Sequence, residues 1–240
     1  MKKTFIHFLL SYFTKDYPFF STAIFGDKDT FMQLAMARRD IDPHQHEKYP
    51  IIAAQANAFY EVLRESVRND MLKLNYTLPL QETPTNLFRG MHFRNPDEAR
   101  SYIDALLIPP QKWIISATSD LQRASNLFAL QPGPRTELEV KMQRLKYKMD
   151  SKTHPVLFVF KNMLYSDASK LNIIDPKEQE KWILLQQGMT YKYRTAISEK
   201  ELNVLLPCNP EGKENSLLLE LSNCLKNESK LTIYIIQEAN

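Results

Sequence analysis

Residues 175–188 read DPKEQEKWILLQQG, and the short apolar run inside them reads as a strand about to be buried, over 180–186. Glu178 and Glu180 flank Gln179 at the mouth of that run. In an extended chain, side chains at i and i+2 point to the same face. Two like charges on one surface repel each other, so their placement calls for a reason.

The bulk numbers describe an ordinary globular chain. Its 240 residues are 43% hydrophobic and 25% charged, enough for one large domain or a core with a smaller lobe. Lys and Arg number 31 against 28 Asp and Glu, a net +3, which is too small an excess to argue for a nucleic-acid partner. Cys208 and Cys224 have neither metal-site spacing nor the density of a disulfide scaffold, and read as free thiols. Lys2, Lys3 and the apolar run Phe5–Phe13 have the look of a signal peptide, with Ser21-Thr22-Ala23 as a small-residue cleavage site. Lys15, Asp16 and Pro18 interrupt that segment, which favours an aromatic-rich helix packed on the body. No stretch is long and apolar enough to span a bilayer.

Along the chain the pattern changes near residue 80. Before it the sequence reads as helical: 51–70 carries Ile52, Phe59, Val62 and Leu63 on one stripe, with Asn69-Asp70 as a stop. The preceding 37–50 reads as a loop, in which His44 and His46 are solvated residues rather than metal ligands. After residue 80 come strand candidates at 85–93, 112–119, 155–161, 180–186, 189–197 and 231–237. Helices are expected at 95–107, started by Asn95-Pro96, and at 120–130, capped by Asp120. Residues 136–152 form an amphipathic pattern whose basic side, Lys141, Arg144, Lys148 and Lys152, reads as a solvated face.

Three strands carry polar residues that are each open to a structural reading (an arginine in an internal salt bridge, a helix-capping strand end, a charged strand entrance) and to a functional one. Phe88-Arg89-Gly90-Met91 places an arginine in an apolar strand, where an unpaired charge is strongly unfavourable. Guanidinium is the natural bidentate partner of phosphate or carboxylate, and Gly90 leaves room for a ligand or another backbone. Trp113-Ile114-Ile115-Ser116-Ala117-Thr118-Ser119-Asp120 ends a strand in small hydroxyl residues, suited to a planar hydrogen-bonding ring or to capping the next helix. The Glu178/Glu180 pair lacks His or Cys at metal-ligand spacing, and Asp175 is the sole further carboxylate nearby. An acid/base role suits the pair better, since a carboxylate can hold a sugar hydroxyl and stabilise an oxocarbenium-like centre.

Arg on one strand, Ser-x-Thr/Ser on a second and Glu-x-Glu leading into a third, in this order, resembles the mono-ADP-ribosyltransferases. The chain looks like their Arg-Ser-Glu branch, which includes cholera-type and binary toxins, arginine-specific animal ectoenzymes and bacterial effectors. The resemblance covers residues 81–240, and 166–193 is similar to the turn-turn loop and following strand of that branch. Gly188 falls where the family commonly turns. The resemblance implies an α+β fold in which two small, mostly antiparallel sheets surround an NAD crevice over 81–240, with an N-terminal helical lobe over 1–80. It implies that Arg89 and Gly90 lie beside the dinucleotide phosphates and ribose. Ser116 matches the first serine of the Ser-Thr-Ser motif at the nicotinamide end, although Thr118-Ser119 is a shifted alternative because the chain reads Ser-Ala-Thr-Ser. Glu180 matches the catalytic glutamate, and Glu178 the residue that selects the acceptor.

The activity that the resemblance implies is transfer of ADP-ribose from NAD, used as a substrate and without a metal, to a protein side chain. Glu178, rather than Gln, points to arginine as the acceptor, and the like-charged pair then divides its labour between sugar cation and guanidinium. The same site also suits an NAD glycohydrolase, and the same fold a non-catalytic binding module. The expected setting is a monomeric, secreted bacterial effector or toxin that modifies a host target protein in the host cytosol. No nucleic acid and no transmembrane segment are expected. Residues 165–177 and 136–152 are the expected target-recognition surfaces.

Overall fold

The computed structural model describes residues 28–81, 83–93, 95–112, 114–124, 154–170, 179–195, 197–198, 200–201 and 231–239. The signal-like N-terminus, the basic helix at 136–152, most of 120–130, Trp113, Asp175, Glu178 and both cysteines lie outside the described residues, as do the side chains of His44 and His46. Contacts divide the chain into two compact units, with a boundary between Leu74 and Asn75.

The described part of the first unit is helical. Helix α1, Lys28–Ala37, ends where Asp40 turns to φ 61. There Ile41 N–H reaches the Met36 carbonyl at 3.1 Å and Asp40 N–H the Ala37 carbonyl at 3.1 Å, the paired bonds that close a helix through a left-handed residue. A 3-10 turn, Pro43–Lys48, leads to α2, Pro50–Val62, whose first-turn proline needs no N–H partner. The expected stripe is rotated: Ala56, Tyr60 and Leu63 are buried, whereas Phe59 and Val62 are exposed. Tyr60 packs on Phe31 of α1 with ring centroids 5.2 Å apart, and that contact fixes the inward face. Nor does the helix stop at Asn69-Asp70. A π-helical turn, Leu63–Val67, passes directly into α3, Arg68–Thr77, whose residues from Asn75 on belong to the second unit.

The second unit contains β1 Thr85–Phe93, α4 Pro96–Leu107, β2 Ile115–Thr118, β3 His154–Met163, β4 Tyr165–Asp167, β5 Glu180–Ile183, β6 Tyr191–Arg194 and β7 Thr232–Glu238. Asn95 caps α4 by accepting from Glu98 N–H at 2.9 Å, and Pro96 takes the first helical position, as the sequence predicts. Strand β4 is an addition, since Tyr-Ser-Asp is too short to show an alternating pattern.

The described strands form a single sheet in the order β4-β5-β2-β1-β3-β7-β6, curled into a half-barrel. This corrects the expectation of two sheets. Strand β1 is the reason, because it is paired on both sides. It pairs with β3 from Thr85↔Met163 to Phe93↔His154, and on its other side with β2 at Phe88↔Thr118. One residue pair thus joins β4-β5-β2 to β1-β3-β7-β6. Of the neighbouring pairs, β3–β7 is parallel and the others antiparallel. The interior strand β3 buries Val156–Phe160 completely, as expected for a strand covered on both faces. Helix α4 places Ala99, Ile103, Leu106 and Leu107 in one core with Leu87, Phe93, Ile115, Ala117, Phe158 and Ile183.

Candidate active site

The thin joint between β1 and β2 is where the polar residues gather. After Phe88↔Thr118 the ladder between these strands lapses, and main-chain carbonyls there need other donors. Arg89 supplies one, with Nη1 donating to the Ser116 carbonyl at 2.9 Å and Nε contacting Met91 Sδ at 3.2 Å. Its 8% exposure makes it a buried cation whose reach spans the gap between two strands. Gly90, beside it, is buried and pairs with Leu157.

Ser116 and Glu180 meet on neighbouring strands. Ser116 lies opposite Trp182 and Thr118 opposite Glu180, and directly opposed residues share a face. The Ser116 hydroxyl donates to Glu180 Oε1, and the Trp182 indole Nε1 donates to the same oxygen at 3.0 Å. Pleat alternation puts Arg89 on the opposite face, with Leu87 and Met91. Arg89 and Glu180 are therefore linked through Ser116, one by its carbonyl and the other by its hydroxyl.

The remaining hydroxyls have local tasks. Thr118 Oγ1 accepts from Asp120 N–H at 3.1 Å, while Asp120 Oδ1 accepts from Arg123 N–H at 2.9 Å, so Thr118 and Asp120 shape the turn into the following helix. Ser119 Oγ donates to Gln179 Oε1 at 3.0 Å. Gln179 itself stands at φ 47, a left-handed conformation that costs a non-glycine residue energy. Strand β5 begins only at Glu180. The chain is therefore not extended at Gln179 itself, and the expectation that 178 and 180 share a face falls on Glu178, outside the described residues.

Two further groups set the position of β5. Gln111, 6% exposed, donates through Nε2 to the Ile183 carbonyl at 3.1 Å and accepts at Oε1 from Leu185 N–H at 2.9 Å. Its amide thereby imitates a neighbouring strand just past the end of β5. Lys181 Nζ pairs with Asp167 Oδ1 at 2.7 Å across β5 and β4 and lies 5.9 Å from the Tyr165 ring centroid. Burial pushes the Asp167 carboxyl up, but hydrogen bonds from Lys181 and Ser169 outweigh it and leave the pKa below its ordinary value.

Sequence reading missed Trp182, Gln179 and Gln111. A tryptophan in an apolar run reads as core, which it also is, at 0% exposure. Polar Gln111 just before a strand was a usable signal, because a buried amide needs backbone partners. Among the described residues no group of three or more His, Cys, Asp or Glu is placed to hold a metal, and no helix is long and apolar enough to cross a membrane. Comparison with models of protein families, with curated proteins and with solved structures finds no match to this chain.

Proposed function

We propose that the protein is a mono-ADP-ribosyltransferase that moves ADP-ribose from NAD to a protein side chain, with Glu180 as the catalytic carboxylate. The observation that carries this reading is the junction at Ser116, which ties a buried arginine and a strand-entry glutamate together across β1, β2 and β5. Those are the residue types, in the strand order, that the chemistry needs. The dinucleotide would lie against the Ser116–Glu180 face beside the β1–β2 joint, with Arg89 bracing that face from the other side of the sheet through the Ser116 carbonyl. Glu180 would bond the nicotinamide-ribose hydroxyl and stabilise the cation formed as the glycosidic bond breaks. Nicotinamide leaves with the bonding electrons, the acceptor nitrogen attacks the ribose carbon, and its proton passes to a base. Preorganised charge of this kind supplies a factor on the order of a hundred to a thousand in rate.

The choice of arginine as acceptor rests on Glu178 and on the resemblance, as does action as a bacterial effector on a host protein. Guanidinium is not deprotonated when free, so Glu178 would take its proton as the new bond forms. The test is incubation of the purified protein with labelled NAD and eukaryotic lysate, followed by mass spectrometry of the modified proteins. Label on arginine that disappears with Glu180→Ala is the expected result. Free ADP-ribose without labelled protein would convert the reading to a glycohydrolase, and absence of both products would reject it.

A further inference from the structure

We infer that Trp182 is the positioning residue for Glu180, holding the carboxylate through its indole N–H while the Ser116 hydroxyl is engaged elsewhere. The inference rests on Glu180 being the catalytic carboxylate. Both donors converge on Glu180 Oε1, Trp182 at 3.0 Å and Ser116 from across the strand pair, but they differ physically. A serine hydroxyl rotates freely and can turn to a ribose or amide group that enters the site. The indole N–H has no such freedom: Trp182 is 0% exposed, set in β5 opposite Ser116, and packing fixes its rotamer.

A buried indole N–H is a donor only, and it is usually partnered. Its bond to Glu180 Oε1 joins residues i and i+2 of one strand, which share a face. The main chain therefore sets the spacing between donor and acceptor. Glu180, by contrast, enters from Gln179, where the backbone is left-handed, and needs an anchor on the strand side. Trp182 provides that anchor at Oε1, the oxygen that the Ser116 hydroxyl also reaches. An apolar residue at 182 would fill the core equally well but would remove the indole donor from Glu180 Oε1.

The test is Trp182→Phe, which keeps an aromatic ring and removes the donor. Because a hydrogen bond to a charged group is at stake, turnover of NAD should fall on the order of ten- to a hundredfold. KM for NAD should stay within about twofold, since the contact does not touch the dinucleotide. A Trp182→Phe protein that keeps full turnover overturns the inference. The second measurement needs no activity and covers the case in which that variant does not fold. In a Trp113→Phe background the single remaining indole N–H resonance belongs to Trp182, and Glu180→Ala should move it upfield while the other resonances keep their dispersion. An unmoved indole resonance overturns the inference. A moved resonance in a protein that neither transfers nor hydrolyses ADP-ribose leaves the contact established and rejects the catalytic reading instead.

Discussion

Replacing Ser116 with alanine separates the two bonds that meet there, because Arg89 uses its main-chain carbonyl and Glu180 its hydroxyl. The Arg89 bond survives that change, and Glu180 keeps the indole of Trp182. Ser116→Ala should therefore cost about 1 kcal/mol or less in urea denaturation, as for one ordinary hydrogen bond, while NAD turnover falls roughly tenfold. Arg89→Ala should cost more stability. The Ser116 carbonyl loses its donor at a place where β1 does not continue the ladder, and an unsatisfied buried acceptor costs about 1–3 kcal/mol. Denaturation midpoints of the two variants, measured side by side, check both expectations, and equal destabilisation would contradict them. At this scale the sequence was informative wherever a polar side chain interrupts an apolar strand, as Arg89, Ser116 and Glu180 do. It was silent on Trp182, whose indole packs in the core and donates a bond at once.

Strand β5 is four residues long, too short to hold its place by its own ladder, and side chains from elsewhere in the chain complete it. Gln111 bonds the Ile183 carbonyl and the Leu185 N–H, and Asn75 Nδ2 also reaches the Ile183 carbonyl, at 3.4 Å. Gln111→Leu fills the same space but strands the Leu185 N–H and weakens the partnership of the Ile183 carbonyl. We expect a loss of about 2–3 kcal/mol in chemical denaturation. Gln111→Glu at neutral pH should lose more, since it adds a buried charge and cannot donate to the carbonyl. Elements with their own punctuation were legible in the sequence. Residues 85–93 delimit β1 and Asn95-Pro96 starts α4 because alternation and caps are local signals. Pairing is not local. That β1 touches β2 at one residue pair, joining the strands into a single sheet, depends on residues about thirty positions apart and leaves no local trace. The left-handed turn at Gln179 was equally hidden, since no glycine marks it.

The stability of the sheet unit as a whole should respond to pH at both extremes, through groups in different parts of the sheet. Trp182 is buried in this unit, so its fluorescence reports the unit's unfolding. Burial lowers the pKa of His154 below its ordinary 6.5, and Nε2 of that ring has no partner among the described residues. The folded state thus resists a proton that the unfolded chain accepts, and stability present above pH 6.5 is lost as pH falls toward the lower folded value. Asp167 has the same sign at lower pH. Its folded pKa lies below 3.8 because Lys181 and Ser169 outweigh the effect of burial, so its contribution is present above 3.8 and disappears as pH falls through the folded value. On the alkaline side Tyr191, Tyr193 and Tyr234 are all raised above 10.0, with burial the largest cause in each. Their contribution is complete below pH 10 and is lost as pH rises through the folded values. Urea midpoints followed from pH 3 to 11 should therefore fall in two separable acid stages and again above pH 10. His154→Gln should flatten the first stage alone, and Lys181→Met should weaken the second by removing the partner that holds Asp167 ionised. If His154→Gln left the profile between pH 5 and 6.5 unchanged, the ring would have to be as free to protonate in the folded sheet as in the unfolded chain.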